Sequence, residues 1–176
     1  GHITPKIDAD GAIRKIPSAV CIEGLAYPAL AVSPFLQIAG GMSEWSVSVS
    51  EGEGFLSPQK ILTIDSFPGL EIPIDEEGNM RISFLRAPSS YRAVSAVDVL
   101  DGNIDPDMFD NVWVIVGATA FGLDDIVPTP FSGFAPGVEL QARMIGSILD
   151  GQVPYTPVGS WLITTLCFLI LSLVIV

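Results

Sequence analysis

Short alternating runs of apolar and polar residues dominate the first part of the chain, a pattern typical of β-strands joined by tight turns. Asp8-Ala9-Asp10-Gly11 is a turn signal that leads into a strand or hairpin at Ile13–Pro17. Further strands are predicted at Trp45–Val49 and Ile61–Ile64, followed by a strand-turn-strand unit over residues 71–84. Val112–Val116 is a continuous apolar run, the kind of strand that is buried on both faces of a sheet, and it is the predicted central strand.

Apolar residues at helical spacing predict the helices. Tyr27–Ala39 is expected to be helical, with Pro34 bending it and Gly40-Gly41 as its C-cap. Ser95 is predicted to cap a short helix.

A longer helix follows the predicted central strand. Between Val138 and Leu149 apolar residues recur at i, i+4, i+7 and i+11, and Gly151 ends the pattern. We expect this helix to pack back on the sheet. The predicted fold class is therefore α/β, with a mixed or mostly parallel sheet and packing helices.

The end of the chain has a different character. Residues 158–176 are apolar apart from Gly, Ser and Thr, and as a helix they would extend roughly 28 Å, close to the thickness of the bilayer core. We expect a transmembrane helix here with Trp161 as an interfacial anchor, in preference to a buried core helix. The predicted domains are then an extracytoplasmic domain at residues 1–157 and a membrane helix at residues 158–176.

Composition and charge support a membrane-linked protein. Hydrophobic residues make up 49% of the chain and charged residues only 16%, and the mean hydropathy is +0.52. With 8 Lys and Arg against 20 Asp and Glu, the net charge of -12 excludes a broad phosphate-binding surface, so no nucleic-acid partner is expected.

Because no Lys or Arg follows Arg143, the positive-inside rule gives no reason to hold this side in the cytoplasm. We place residues 1–157 in the periplasm or outside the cell, next to the cell inner membrane.

Few residues suggest catalysis. The histidine, His2, lies at the start of the chain, where we expect fraying, and no Gly-x-Ser-x-Gly or phosphate-loop motif occurs. Cys21 lies in an apolar stretch and is predicted to be a packed core thiol, while Cys167 lies in the predicted membrane helix, so no disulfide between them is expected. No cofactor or metal is expected, and this segment is not expected to be catalytic.

The loop after Val112–Val116 is the candidate ligand site, because ligands of open α/β sheets bind beyond the ends of the strands. It contains Thr119, Asp124 and Asp125, with Thr129 shortly after. Structural capping of loop amides by the carboxylates is favoured over ligand sensing, and sensing over metal-assisted catalysis on a phosphoester.

The order of these segments resembles the type-two CHASE domain, a cyclase- and histidine-kinase-associated sensory extracellular domain. The resemblance covers most of residues 8–151. It rests on the Asp10-Gly11 turn, Ile72–Asp75, Ser95–Leu100, Val114–Ala120, Leu123–Asp125, Thr129-Pro130, Pro136–Glu139 and the Ile145–Gly151 helix end. One position departs from the pattern: Gln141 stands where the family commonly has His, which puts a proton- or metal-linked role there in doubt.

The resemblance implies a sensory input domain followed by membrane spans and a cytoplasmic nucleotide cyclase, diguanylate cyclase or kinase. It also implies a strand-helix-strand portion upstream of Gly1, so we expect this segment to be the C-terminal part of its domain.

The expected mechanism is a change of packing that travels through Gly151, Pro154 and Pro157 into the membrane helix, because two prolines make the connection semi-rigid. The partners expected are an unknown small-molecule or protein stimulus, the lipid bilayer through residues 158–176, and a second copy in a homodimer. The alternative is a ligand-free module for dimerisation or partner docking.

Overall fold

The computed structural model describes residues 1–40, 46–65, 67–87, 90–119 and 126–175. Within these ranges the chain forms short strands and four α-helices, with a 3₁₀ helix at Pro106–Phe109. In chain order they are β1 (Lys6–Ile7), β2 (Ile13–Pro17), β3 (Ala19–Ile22), β4 (Leu25–Pro28), α1 (Ser33–Gly40), β5 (Val47–Glu51), β6 (Lys60–Ile64), β7 (Glu71–Ile74), β8 (Asn79–Arg81), α2 (Ala96–Leu100), β9 (Ile126–Val127), β10 (Ala135–Pro136), α3 (Gly137–Leu149) and α4 (Ser160–Ile175).

The described strands form four small sheets: β1-β2-β8, β5-β6-β7, β3-β4 and β9-β10. Every ladder between them is antiparallel, and the parallel contact among the described residues is an isolated bridge between His2 and Ala29. The predicted mixed or mostly parallel sheet is therefore wrong. The reason lies in the connections: β3 turns into β4 through Glu23 and Gly24, both with positive φ (53° and 80°), and such two-residue turns join antiparallel strands.

The hydrophobic core lies between the two three-stranded sheets and two helices. In β6 and β7 alternate residues point inward, as the pattern of the sequence predicts. α3 contributes one apolar face and α1 contributes a fully buried Phe35. The core residues supplied by strands and α3 are Ile13, Ile16, Leu62, Ile64, Ile72, Ile74, Met80, Leu140, Met144, Ile145 and Ile148.

Several predicted elements are confirmed at nearly the predicted positions. β2, β6 and α3 lie where the patterns place them, and β7 and β8 flank the predicted turn. The Ser95 hydroxyl accepts a hydrogen bond from the Val97 amide, so Ser95 is the N-cap of α2. Of the predicted strand Trp45–Val49, the described part begins β5 at Val47, and Trp45 lies outside the described residues.

The first helix is shorter than predicted. It begins at Ser33, because Tyr27 and Pro28 belong to β4, where they pair with Val20 and Ala19. Pro34 therefore falls in the first turn of α1, where proline is well tolerated because its missing N–H has no intrahelical partner, and it does not bend the helix. Gly41, part of the predicted C-cap, lies outside the described residues.

The β3-β4 hairpin carries apolar residues that no second layer covers. Ile22 and Leu25 at its turn are 55% and 62% exposed, and Cys21 is exposed as well. The prediction of a packed core thiol is wrong, since a two-stranded hairpin offers the thiol no apolar partner layer. His2 is not frayed either, because its backbone pairs with Pro28 and Leu30, and burial lowers the pKa of its ring.

Val112–Val116 does not form the predicted central strand. The segment enters no ladder with any described residue. The segment still contacts the core on one side: the Trp113 ring lies 5.3 Å from that of Phe35, and Ile115 packs against the core cluster.

The apolar C-terminal run forms α4, which is 16 residues long and has no buried residue. Its hydroxyls bond back to its own backbone, as Thr164 does to the carbonyl of Ser160. Among the described residues, no helix has both the length and the hydropathy needed to cross a membrane. The expected transmembrane helix over residues 158–176 is corrected to this shorter helix, because Val158 and Gly159 are hydrogen-bonded to another loop and precede it.

Candidate signal-relay site

The C-terminal end of α3 is fixed by a glycine cap. Gly151 has a φ of +63°, the left-handed region that glycine adopts without steric cost. The amide of Gln152 donates to the carbonyl of Ser147 (2.8 Å), and that of Gly151 to the carbonyl of Ile148 (3.2 Å). A salt bridge of 2.5 Å between Arg86 and Asp150 holds the same turn. Gly151, predicted as a relay residue, thus sets the direction in which the chain leaves α3.

Residues 152–159 form the connector between α3 and α4, and they contact the domain at several points. Val153 is only 4% exposed and belongs to the core cluster. The Thr156 hydroxyl accepts a hydrogen bond of 2.7 Å from the guanidinium of Arg81, at the end of β8. Pro157 forms an isolated antiparallel bridge with Pro58. The connector is therefore tied to β8 and to the loop between β5 and β6.

The last two connector residues are held most firmly, by the loop between β5 and β6. The amide of Val158 donates to the carbonyl of Ser57 (3.0 Å), and that of Gly159 to the carbonyl of Phe55 (2.8 Å). A Cβ atom added at Gly159 would overlap the Phe55 ring, so this approach requires glycine. We call the contact of residues 157–159 with residues 55–58 the connector clamp.

A small cavity lies beside the connector, lined by Pro154, Tyr155 and Thr156 on one side and by Asp75, Asn79 and Arg81 on the other. Its volume of about 10 Å³ is no more than one water molecule needs. It has no room for an organic ligand, so the contacts around it join the connector to β7 and β8 and form no binding pocket.

Only two of the four residues of the predicted ligand site, Thr119 and Thr129, lie among the described residues. Asp124 and Asp125 lie outside the described residues. Thr129 has a local role: its hydroxyl accepts a hydrogen bond from the amide of Ser132 and donates to the carbonyl of the same residue, at 3.1 Å each. Thr119 is exposed three residues after Val116, and no hydrogen bond joins it to Thr129 within the described ranges. Ligand binding by these four residues stays a prediction.

One buried charged cluster was not predicted from the sequence. Arg143, in α3, is 3% exposed. It donates two hydrogen bonds to Glu139 (2.9 and 2.8 Å) and one to the carbonyl of Arg86 (2.7 Å). Its guanidinium lies 5.4 Å from the ring centre of Phe84 and 5.7 Å from that of Tyr91. The spacing of Glu139 and Arg143 is visible in the sequence as an i, i+4 pair, but the two rings come from a distant loop.

Two other polar features were singled out in the sequence, Gln141 and the Asp8–Gly11 turn. Gln141 is 6% exposed in α3, and its Oε1 is buried without a hydrogen-bond partner among the described residues. The Asp8–Gly11 turn is confirmed, because Gly11 has positive φ and both carboxylates bind Arg14. The Arg14 guanidinium holds the pKa of Asp10 well below its usual range. The described residues contain no group of three His, Cys, Asp or Glu side chains that could hold a metal ion.

The described residues thus form small antiparallel sheets with packing helices, and the connector clamp ties this α/β fold to α4. Comparison with protein families gives a match to the CHASE2 domain over residues 1–176. The chain belongs to the CHASE2 family, whose members are extracellular sensory domains of signalling receptors. Neither the curated proteins nor the solved structures include a match to this chain.

Proposed function

We propose that this chain is the periplasmic or extracellular input domain of a membrane-bound bacterial receptor of the inner membrane, and that it controls a cytoplasmic nucleotide cyclase or kinase. The observation that carries the proposal is the connector clamp, which ties the residues before α4 to the sensory fold. A stimulus that repacks the sheets would move residues 55–58, and the clamp would carry that movement to α4. Of the relay residues, Pro154 and Pro157 make this route semi-rigid, and Gly151 sets the direction in which the chain leaves α3.

The experiment measures the basal output of the parent receptor in membranes, so no stimulus has to be known. Phe55→Ala removes the ring that packs on Gly159, and we expect it to change basal output several-fold. A flexible Gly-Ser insertion between Gly159 and Ser160 should abolish this effect, because α4 would no longer follow the clamp. The matched control places the same insertion between Glu23 and Gly24, in the exposed β3-β4 turn, where the effect of Phe55→Ala should persist.

Two outcomes contradict the relay. If Phe55→Ala still changes the output after the insertion before α4, the movement reaches the cytoplasmic domain by another route. If Phe55→Ala leaves the output of the otherwise native receptor unchanged, the clamp does not couple the domain to α4.

The second candidate function is a module for association that needs no ligand. It is favoured by one specific observation, the apolar segment Val112–Val116, which enters no ladder among the described residues and leaves Val112, Val114 and Val116 exposed. In that case the cytoplasmic output would depend on the proximity of two copies and not on a bound molecule.

A further inference from the structure

Three residues on one face of α3 hold the segment that follows β8. Arg143 donates a hydrogen bond of 2.7 Å to the carbonyl of Arg86, and the Arg86 guanidinium forms a salt bridge of 2.5 Å with Asp150. The Arg143 guanidinium lies 5.7 Å from the centre of the Tyr91 ring. The Tyr91 hydroxyl approaches Gly146 so closely that a Cβ atom added there would lie 3.4 Å away. Positions 143, 146 and 150 follow helical spacing, so these contacts form one line along α3.

We call residues 85–87 together with Tyr91 the α3 cover. Residues 85–87 are exposed and Tyr91 is half-buried. The other hydrogen bonds of this segment are local, from the Leu85 amide to the Ser83 hydroxyl and from Ser90 to the carbonyl of Ala87. Where the structure describes the chain, the hydrogen bonds, ion pairs and ring contacts of the cover that reach a distant element all reach α3. Movement of the cover away from α3 therefore leaves the strands of the core in place.

The ion pair beneath the cover belongs to α3 alone. Glu139 and Arg143 are four residues apart, and the Nε and Nη2 atoms of Arg143 both donate to Oε1 of Glu139. The Arg143 side chain is only 3% exposed. Burying a paired charge costs hydration, and the attraction between the two charges offsets that cost only in part. When the cover lifts, Arg143 keeps Glu139 and regains water, which compensates for the lost contacts with Arg86 and Tyr91.

We propose that the α3 cover opens and closes on α3, and that burial of the Glu139–Arg143 pair keeps the closed form close in free energy to the open form. Opening separates Arg86 from Asp150, the residue before the Gly151 cap, and so removes the salt bridge that holds the turn where the connector begins. The role of this motion in controlling the relay rests on the proposed function. The motion itself does not.

The test measures how fast a maleimide reagent modifies a thiol beneath the cover, in the full chain in detergent micelles with Cys21→Ser and Cys167→Ala as background. Gly146→Cys places its Cβ atom in ordinary van der Waals contact with the Tyr91 hydroxyl, so the closed cover shields the thiol. Leu149→Cys, at a 49% exposed position of the same helix, is the matched control for a thiol of α3 that is already exposed.

Glu139→Gln leaves the buried guanidinium of Arg143 without its partner charge, so the cover should open and the Gly146→Cys thiol should react roughly tenfold faster. Adding Arg143→Met removes the charge that requires water, while the methionine side chain still packs against the Tyr91 ring. In this double variant the reaction should return to the rate of the native pair or fall below it. Leu149→Cys should react at the same rate in every background.

A pair that only stabilises α3 gives the opposite result, because the two substitutions would then weaken the helix together. A double variant that reacts as fast as Glu139→Gln or faster would overturn the proposal, and so would a Glu139→Gln rate equal to the native one. A nitroxide on Ala87→Cys, with Gly146 intact, measures the same motion without a change in α3. Its mobile fraction should rise in Glu139→Gln and fall in the double variant, and an unchanged spectrum would also overturn the proposal. Neither readout is signalling output, so the result stands or fails separately from the proposed relay.

Discussion

Asp75 shows how one carboxylate organises the junction of two sheets. It follows β7 and accepts hydrogen bonds from the backbone amide and side chain of Asn79 (2.8 and 3.0 Å). Lys15, in β2, approaches it at 3.4 Å. Burial alone would raise the pKa of Asp75, but the Asn79 hydrogen bonds and the charge of Lys15 outweigh it, so the pKa lies below the ordinary value of 3.8. The charged form is therefore the one that stabilises the fold.

The sign of the pH dependence follows from this depressed pKa. An acid whose native pKa is lowered contributes stability above its unfolded pKa, and that contribution is lost as the pH falls through the native pKa. We expect Asp75→Asn to reduce the free energy of unfolding by about 1–2 kcal/mol at pH 7. Below about pH 4, the difference from the native protein should shrink. Urea unfolding at a series of pH values measures both, and a difference that stays constant down to pH 2 would contradict the assignment. Asn79→Ala, which removes the side-chain donor, should act in the same direction.

At the scale of elements, the connector clamp depends on the absence of a side chain at Gly159. Gly159→Val introduces branched carbons where the Phe55 ring now packs. The ring is 49% exposed and can rotate away, but the hydrogen bonds of Val158 and Gly159 to the loop should then weaken. We expect amide hydrogen exchange at residues 158 and 159 to accelerate at least tenfold in the variant.

The matched control removes the clash by truncating Phe55, the residue that the new side chain at position 159 would meet. In the double variant Phe55→Ala with Gly159→Val the new side chain has space, so protection of these two amides should return towards that of Phe55→Ala alone. Unchanged exchange in Gly159→Val would mean that the clamp tolerates a side chain at this position and that glycine is not needed for it.

The sequence predicted elements better than it predicted their pairing. Strands β2, β6 and β7 and helix α3 follow from alternation and helical spacing, because each buries one face on the same core. Which strand lies beside which is decided by turns and long-range contacts, and the pattern of Val112–Val116 is the same whether or not a neighbour pairs with it. The prediction of a parallel sheet with that segment at its centre rested on such a neighbour.

In the candidate site, too, the features with a local signature were predicted and the long-range contacts were not. Gly151 and the two prolines are recognisable because glycine caps and proline have local meanings. The hydrogen bond from Arg81 to Thr156 and the packing of Phe55 on Gly159 join residues 75 and 104 positions apart. Contacts between residues so far apart in the sequence cannot be predicted from a local pattern. The packing of Arg143 near the rings of Phe84 and Tyr91 was missed for the same reason.

For the whole molecule, the excess of acidic residues opposes the association that the exposed apolar segment Val112–Val116 would favour. Two copies each with a net charge of -12 repel over the screening length, which is about 30 Å at 0.01 M salt and about 8 Å at 0.15 M. Apolar pairing over residues 112–116 carries no charge and gains no electrostatic energy when salt is removed. The balance between dimer and monomer should therefore depend on ionic strength in one direction only.

If the chain is the association module described above as the second candidate function, we expect its dimer dissociation constant in non-ionic detergent to fall at least tenfold between 0.01 M and 0.15 M NaCl, because screening reduces the repulsion while the apolar contact stays the same. Sedimentation equilibrium measures it. Val114→Lys places a charge in the middle of the apolar segment and should stay monomeric at both salt concentrations. The control Val99→Lys, at an exposed position of α2, should follow the native protein. Association that weakens with added salt would mean that opposite charges hold the copies together, and the interface would then have to lie away from Val112–Val116.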